Sequence, residues 1–164
     1  MSIEDAVARA TEYLTQHPDE ARYRDSAATA RITSGLRASV SGPGGESAAT
    51  DMPAGIGGAA SAPSPGWLMR AAAASCVASM VAIRAAATGL THGAIEVVVD
   101  SESDDRGILG LDDEIAAGAL SMRVAVSVDG VDDAEIKDLV DWAIRHCPVT
   151  DTIARTVAIS TEIV

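Results

Sequence analysis

The sequence predicts an α+β fold built on a largely antiparallel sheet, and three of its features carry that prediction. Helical and strand periodicities follow one another in the irregular order α-ββ-α-ββ-α-α-β, which is not the regular strand-helix repeat of a parallel sheet. The length, 164 residues, suits one compact domain and leaves no room for two large ones. The composition, 48% apolar and 22% charged, can fill a core and excludes wholesale disorder.

The elements follow in order. Ile3, Val7, Ala10 and Leu14 share one face of a short amphipathic helix that starts after Ser2, carries Glu4 and Asp5 in its first turn, and stops before Pro18. Between Thr29 and Ser41, apolar residues alternate on either side of Ser34-Gly35, which predicts a β-hairpin. Ser41 to Ser64 is rich in Gly, Pro, Ser and Ala without a period, and is expected to be a long loop. Ser64-Pro65 is an N-cap with proline at the first helical position, and the apolar run behind it continues to Gly89, a natural C-terminal stop. A helix apolar nearly all round has to be covered by a sheet or by a second subunit.

Ile95 to Val99 and Leu120 to Val128 read as strands, joined by an acidic connecting turn at Ser101 to Leu111. The acids from Asp100 to Asp113 read as a solvated loop. Asp132-x-x-Glu135 resembles a capping box and opens a second amphipathic helix with the stripe Val131, Ile136, Leu139, Val140, Ala143 and Ile144. It ends near His146-Cys147-Pro148, where proline opens a further short helix through Ile153 and Ala154. Val157, Ile159, Thr161 and Ile163 then alternate as a closing strand.

Composition narrows the partners. With 12 basic and 24 acidic residues the net charge is −12, which repels phosphate backbones and anionic membranes; neither nucleic acid nor membrane is an expected partner. The most apolar window, Ala71 to Ile83, is closed by Arg70 and Arg84 and is too short to span a bilayer. The N-terminus has neither the basic nor the apolar segment of a secretory signal, so a cytoplasmic location is expected. Phe is absent and the aromatics are Tyr13, Tyr23, Trp67 and Trp142, so the core has to be aliphatic, and small-residue cores gain area by homo-oligomerising.

Two residues invite chemistry. Cys76 lies inside the apolar helix, and Cys147 stands where the short helix begins. Both read equally as small buried hydrophobes. A reducing compartment argues against a structural disulfide, and His17, His92 and His146 supply no metal-ligand spacing, so no metal is expected. A thiol attacks peroxide only as the thiolate, and the local sequence favours Cys147 as the more acidic, next to Pro148, Arg145 and free helix N–H groups.

Three segments taken together are more specific. The run Ser64-Pro65-Gly66-Trp67-Leu68 leading to Ser75-Cys76, then Asp105-Arg106-Gly107-Ile108-Leu109-Gly110, then His146-Cys147-Pro148-Val149-Thr150-Asp151-Thr152-Ile153, resembles the OsmC/Ohr family of osmotically inducible and organic-hydroperoxide-resistance proteins, which are peroxiredoxin-like. The resemblance runs from about Ala28 to Val164, with residues 1–17 as an added N-terminal helix and the whole chain, 1–164, as one OsmC-like domain.

The resemblance implies antiparallel sheets wrapped around a long central apolar helix, in an intertwined homodimer. It implies reduction of organic hydroperoxides in oxidative stress defence, with no cofactor and with a dithiol, such as a lipoyl-type protein, as reductant. By position Cys76 is the peroxidatic cysteine and Cys147 the resolving one. The guanidinium that polarises the peroxide is Arg31 or Arg37 on the hairpin, while Arg155 reads as a surface residue. Where many members carry a glutamate paired with that arginine, this chain has Gly66 and Trp67. Trp67, beside Gly66, reads either as the wall of an apolar substrate pocket or as core. His146 reads as a helix cap, and Trp142 as core. The other function class consistent with the lost glutamate is an OsmC-like dimer that binds a hydrophobic small molecule or partner without turnover.

Overall fold

The computed structural model describes residues 1–163, so Val164, the last residue of the expected family core, lies outside them. Helix α1 spans Ile3–Gln16. Three short antiparallel strands follow, β1 (Thr29–Ile32), β2 (Ala38–Ser41) and β3 (Ser47–Thr50). Helix α2 (Pro65–Ala87) precedes β4 (Ile95–Glu102), a single-turn α3 (Asp105–Ile108) and β5 (Ser121–Val128). Helices α4 (Asp133–His146) and α5 (Pro148–Ala154) complete the order. The class is α+β with antiparallel sheets and a long apolar helix, as the periodicities predict. Contacts divide the chain into two compact units, Ala10–Met69 and Met1–Arg9 together with Arg70 onward.

In the first of these, β1, β2 and β3 form a meander in which Ile32 faces Ala38, and Ala38 faces Thr50. Strand β3 lies inside the segment expected to be a long loop. Ser47-Ala-Ala-Thr has no bulky alternation to announce a strand, whereas Gly42-Pro43-Gly44-Gly45 ahead of it is a hairpin turn. Gly45 takes φ +91° there, and the Gly42 N–H donates to the Glu46 carbonyl at 3.0 Å. Behind β3 the chain is organised by a buried carboxylate. Asp51 accepts from the Met52 N–H at 2.8 Å and from the Ser61 N–H and hydroxyl at 3.0 and 2.8 Å. Arg37 donates from Nη1 to the Ser61 hydroxyl at 2.7 Å and the Ser61 carbonyl at 3.2 Å.

The second unit is held by aliphatic packing. Helix α2 begins where Ser64 Oγ accepts the Trp67 N–H at 3.2 Å. It ends at Gly89, φ +69°, where the Leu90 N–H reaches back to the Ala85 carbonyl at 2.9 Å, a Schellman closure that needs the left-handed region. Its buried residues Ala73, Val77, Val81 and Ala85 recur every fourth position and form one stripe. Val77, Val81 and Ala85 pack with Val128 of β5, Leu139 and Ala143 of α4, and Cys147, bordered by Ile95 and Val97 of β4. By length and composition α2 is apolar enough to cross a membrane, and here its stripe belongs to the core.

Strands β4 and β5 pair antiparallel along their whole length, Ile95 opposite Val128 through Glu102 opposite Ser121. The acidic connection therefore starts later than expected, and Asp104 caps α3 by accepting the Arg106 N–H. Asp132 accepts the N–H groups of Ala134 and Glu135 at 3.0 and 2.9 Å and fixes the start of α4.

One expected element is absent. Residues 156–163 form no strand, and Val157, Ile159 and Ile163 are exposed. Their alternation has the period of a strand, but a strand exists only where a second edge accepts its hydrogen bonds, and none within the described residues does.

Candidate functional site

Both cysteines belong to the aliphatic unit, and its core brings them together. Cys76 is reached from α2 and Cys147 from the junction of α4 and α5; Cys147 belongs to the core cluster with Val77, Val81, Leu139 and Ala143, and Cys76 packs against that cluster, where each thiol influences the ionisation of the other. Both are free, Cys147 completely buried and Cys76 half-buried.

The junction is built for Cys147. Pro148 cannot continue α4, since its ring displaces the donor that the helix would use, so Cys147 turns to φ −78°, ψ 114° and becomes the N-cap of α5. Its sulfur accepts the Thr150 N–H at 3.5 Å. The Thr150 hydroxyl lies 3.0 Å from the Ile144 carbonyl, left over at the end of α4, and 3.2 Å from the Cys147 carbonyl, which also accepts the Asp151 N–H at 2.9 Å. On the other side of the junction, His146 Nδ1 lies 2.7 Å from the Trp142 carbonyl, the capping role expected of it. The His146 ring stacks on Trp142 with centroids 4.3 Å apart, and the Arg84 guanidinium sits 5.3 Å from the centre of a Trp142 ring.

These contacts separate the thiols electrostatically. Burial pushes the Cys147 thiol up, but the Thr150 hydroxyl and N–H, the Cys76 thiol and the Val149 N–H all stabilise its anion and hold it below the ordinary cysteine value. Cys76 moves the other way: burial raises it, and so do its hydrogen bond to Cys147 and the negative charge there, against one stabilising N–H from Val149. Cys147 is therefore the easier of the two thiols to ionise and Cys76 the harder. That is the direction implied by the position of Cys147 ahead of Pro148.

The other expected site residues lie elsewhere. Arg31, on β1, makes no side-chain hydrogen bond or ion pair among the described residues, whereas Arg37 is fastened to Ser61. Trp67 is half exposed in the first turn of α2, next to Gly66, and is not core. Arg155 pairs with Asp151 on the surface. Sequence reasoning singled out neither Thr150 nor Asp51. A threonine three residues after an N-cap and a serine ten residues after an aspartate are too common to signal anything, although both became the organising groups of their surroundings.

A family pattern described as OsmC-like protein matches residues 58–162, more than half of the chain and including both cysteines. This chain belongs to the OsmC-like family. Its fold agrees with solved members. The organic hydroperoxide resistance protein OsmC from Legionella pneumophila superposes with a TM-score of 0.67 at 19% identity, over 80% of this chain and 90% of that one. The OsmC-like protein from Mycoplasma pneumoniae gives 0.64 at 15% identity, over 82% and 89%. An organic hydroperoxide resistance protein from Elizabethkingia anophelis gives 0.60 at 20%, over 80% and 89%. Comparison with curated proteins gives no match.

Proposed function

We propose that this OsmC-like chain reduces organic hydroperoxides with Cys76 and Cys147, in defence against oxidative and osmotic stress. One observation carries the proposal: two free thiols from distant parts of the sequence meet at one aliphatic core, Cys147 within it and Cys76 packed against it. Buried structural cysteines have no reason to meet in this way.

The steps assigned to the pair follow from the chemistry of sulfur. Cys76 attacks the distal peroxide oxygen, the O–O bond breaks, the alcohol leaves with a proton, and Cys76 becomes a sulfenic acid. The Cys147 sulfur then attacks Cys76, the S–O bond breaks, water leaves, and a disulfide remains for a dithiol, such as a lipoyl-type protein, to reduce. Because burial and the neighbouring Cys147 make Cys76 harder to ionise, attack needs a cation that stabilises its thiolate as the proton leaves. We assign that cation to Arg37 or Arg31 of the hairpin, and of the two Arg37 is the one held in place, by its bonds to Ser61. Trp67 and Gly66 are the candidate walls for the apolar part of the substrate.

A cytoplasmic homodimer is the state in which the chain works. Its support lies in what the protomer leaves uncovered: a two-stranded β4–β5 ribbon, which alone is marginal, an unpaired alternating segment at 156–163, and exposed Trp67, Val98, Ile153, Ile159 and Ile163. Residues 28–164 form its core domain and residues 1–17 an appended helix.

Steady-state consumption of cumene hydroperoxide in the presence of dihydrolipoamide tests the activity. Turnover that is abolished by Cys76→Ser and by Cys147→Ser supports it. Wild-type protein that consumes no peroxide but binds the apolar ligand stoichiometrically establishes the non-catalytic alternative, which the absence of a carboxylate at Gly66 and Trp67 favours.

A further inference from the structure

We propose that Thr150 is a positioning residue for the second half of the reaction, holding the Cys147 sulfur where it captures oxidised Cys76. This rests on the peroxide-reducing reading above and assigns a role to a residue that touches neither substrate nor Cys76. Three contacts converge on it. Its N–H donates to the Cys147 sulfur, and its hydroxyl bridges the carbonyls of Ile144 and Cys147. It therefore ties the last turn of α4 to the first turn of α5 across the one residue whose side chain must move into a bond.

The geometry is specific to a β-hydroxyl. A helix that ends against proline leaves carbonyls without partners, and buried carbonyls without partners are costly. Cys147 is completely buried, and the side chain that reaches the Ile144 carbonyl beside it is Thr150. Its backbone N–H then aims at the sulfur. The Cys147 carbonyl keeps the Asp151 N–H, but without the hydroxyl the junction has to satisfy Ile144 some other way, which rotates the cap and the sulfur it carries. Closure of the disulfide is sensitive to this because the S–S bond forms only within a narrow range of separations and torsions. Attack on the peroxide is less so, because it is carried by Cys76 on α2, which Thr150 reaches only through Cys147.

The step affected is balanced as follows. Cys76–SOH and the Cys147 thiol give Cys76–S–S–Cys147 and one water; the S–O bond breaks as the S–S bond forms, the thiol proton leaves with the oxygen, and the oxidant has already been consumed as the organic hydroperoxide.

Thr150→Val keeps the shape and removes the hydroxyl, and Thr150→Ser restores it. With one equivalent of cumene hydroperoxide, loss of peroxide reads attack, and quenched samples read the disulfide and the dimedone adduct of the Cys76 sulfenic acid. Thr150→Val is expected to close the disulfide about tenfold more slowly, a larger change than in its rate of peroxide loss, and to accumulate the adduct on Cys76. Alkylation of Cys147 in a Cys76→Ser background is expected to shift its midpoint to higher pH in Thr150→Val. Thr150→Ser is expected to return both readouts to wild type, which a role in stability alone does not require.

Closure at the wild-type rate with an unshifted alkylation midpoint overturns the proposal, as does equal slowing of attack and closure. If Thr150→Val does not fold, Thr150→Ala takes its place with the same expectations. A wild-type protein inert to hydroperoxide overturns the activity instead; diamide then drives the same closure, and its dependence on Thr150 decides the positioning role separately.

Discussion

Between Ala10 and Met69 the buried side chains are Ala38, Thr50 and Asp51; from Arg70 onward they are Ala73, Val77, Val81, Ala85, Val128, Leu139, Ala143 and Cys147. One unit surrounds a carboxylate with donors from Met52 and Ser61, and the other surrounds its thiols with hydrocarbon. The contrast follows from composition. The stretch from Ser41 to Ser64 is mostly Gly, Pro, Ser and Ala, whose side chains bury too little area to order a chain, so order comes from directional bonds to one anion. The α2–α4 pair has Val, Leu and Ile at helical spacing and needs no such anchor. The two thiols are lodged in the aliphatic unit, where low polarity makes each hydrogen bond to sulfur count for more.

The largest effect is expected where hydrocarbon does the holding. Leu139→Ala removes a side chain that is 4% exposed and is expected to cost about 2–5 kcal/mol by urea unfolding. A cost near zero breaks the contrast at its stronger end. In the other unit the sharpest steric limit is Gly58, where an added Cβ meets the Met52 carbonyl oxygen at 1.8 Å. Gly58→Ala is therefore expected to cost roughly 1–3 kcal/mol, with faster hydrogen exchange confined to the residues around the Asp51 clamp.

Acid separates the two units. Asp51 titrates below the ordinary carboxylate value, chiefly through the Ser61 N–H and then the Ser61 hydroxyl. Its folded-state value lies below its unfolded one, so its stabilisation is fully present above about pH 4 and is lost as pH falls through the folded value. Amides at 52–61 are expected to lose protection on acidification before those of α2, and Asp51→Asn to accelerate them on the order of tenfold at neutral pH. Uniform loss of protection along the chain contradicts this. The smallest effect is expected at Gly89, whose φ of +69° makes Gly89→Ala cost about 1 kcal/mol in thermal unfolding while leaving thiol reactivity unchanged.

The same contrast explains what could be read from the sequence. Elements held by bulky side chains announce themselves: α2 from Pro65, β4 and β5 from alternating Val and Ile, α4 from Asp132 and its stripe. Strand β3 does not, because Ala48 and Ala49 show no period, and the clamp of Asp51, Ser61 and Arg37 does not, because polar contacts follow no repeat. Val157 to Ile163 fails in the opposite sense, with a strand period but no edge to pair with inside the described chain. At the site, both cysteines were named by the family frame, and the acidity of Cys147 by Pro148. Their contact was not legible, since it depends on how α2 seats against α4, and Thr150 was not, since its role exists only once α4 ends.

One measurement reaches the proposed chemistry directly: counting free thiols and mapping linked peptides after a single equivalent of cumene hydroperoxide is added to the reduced protein. The account predicts that both thiols disappear together into one intramolecular Cys76–Cys147 bridge, and that Cys147→Ser stops at a Cys76 sulfenic acid. Two thiols that remain free and alkylatable after the peroxide is added contradict it.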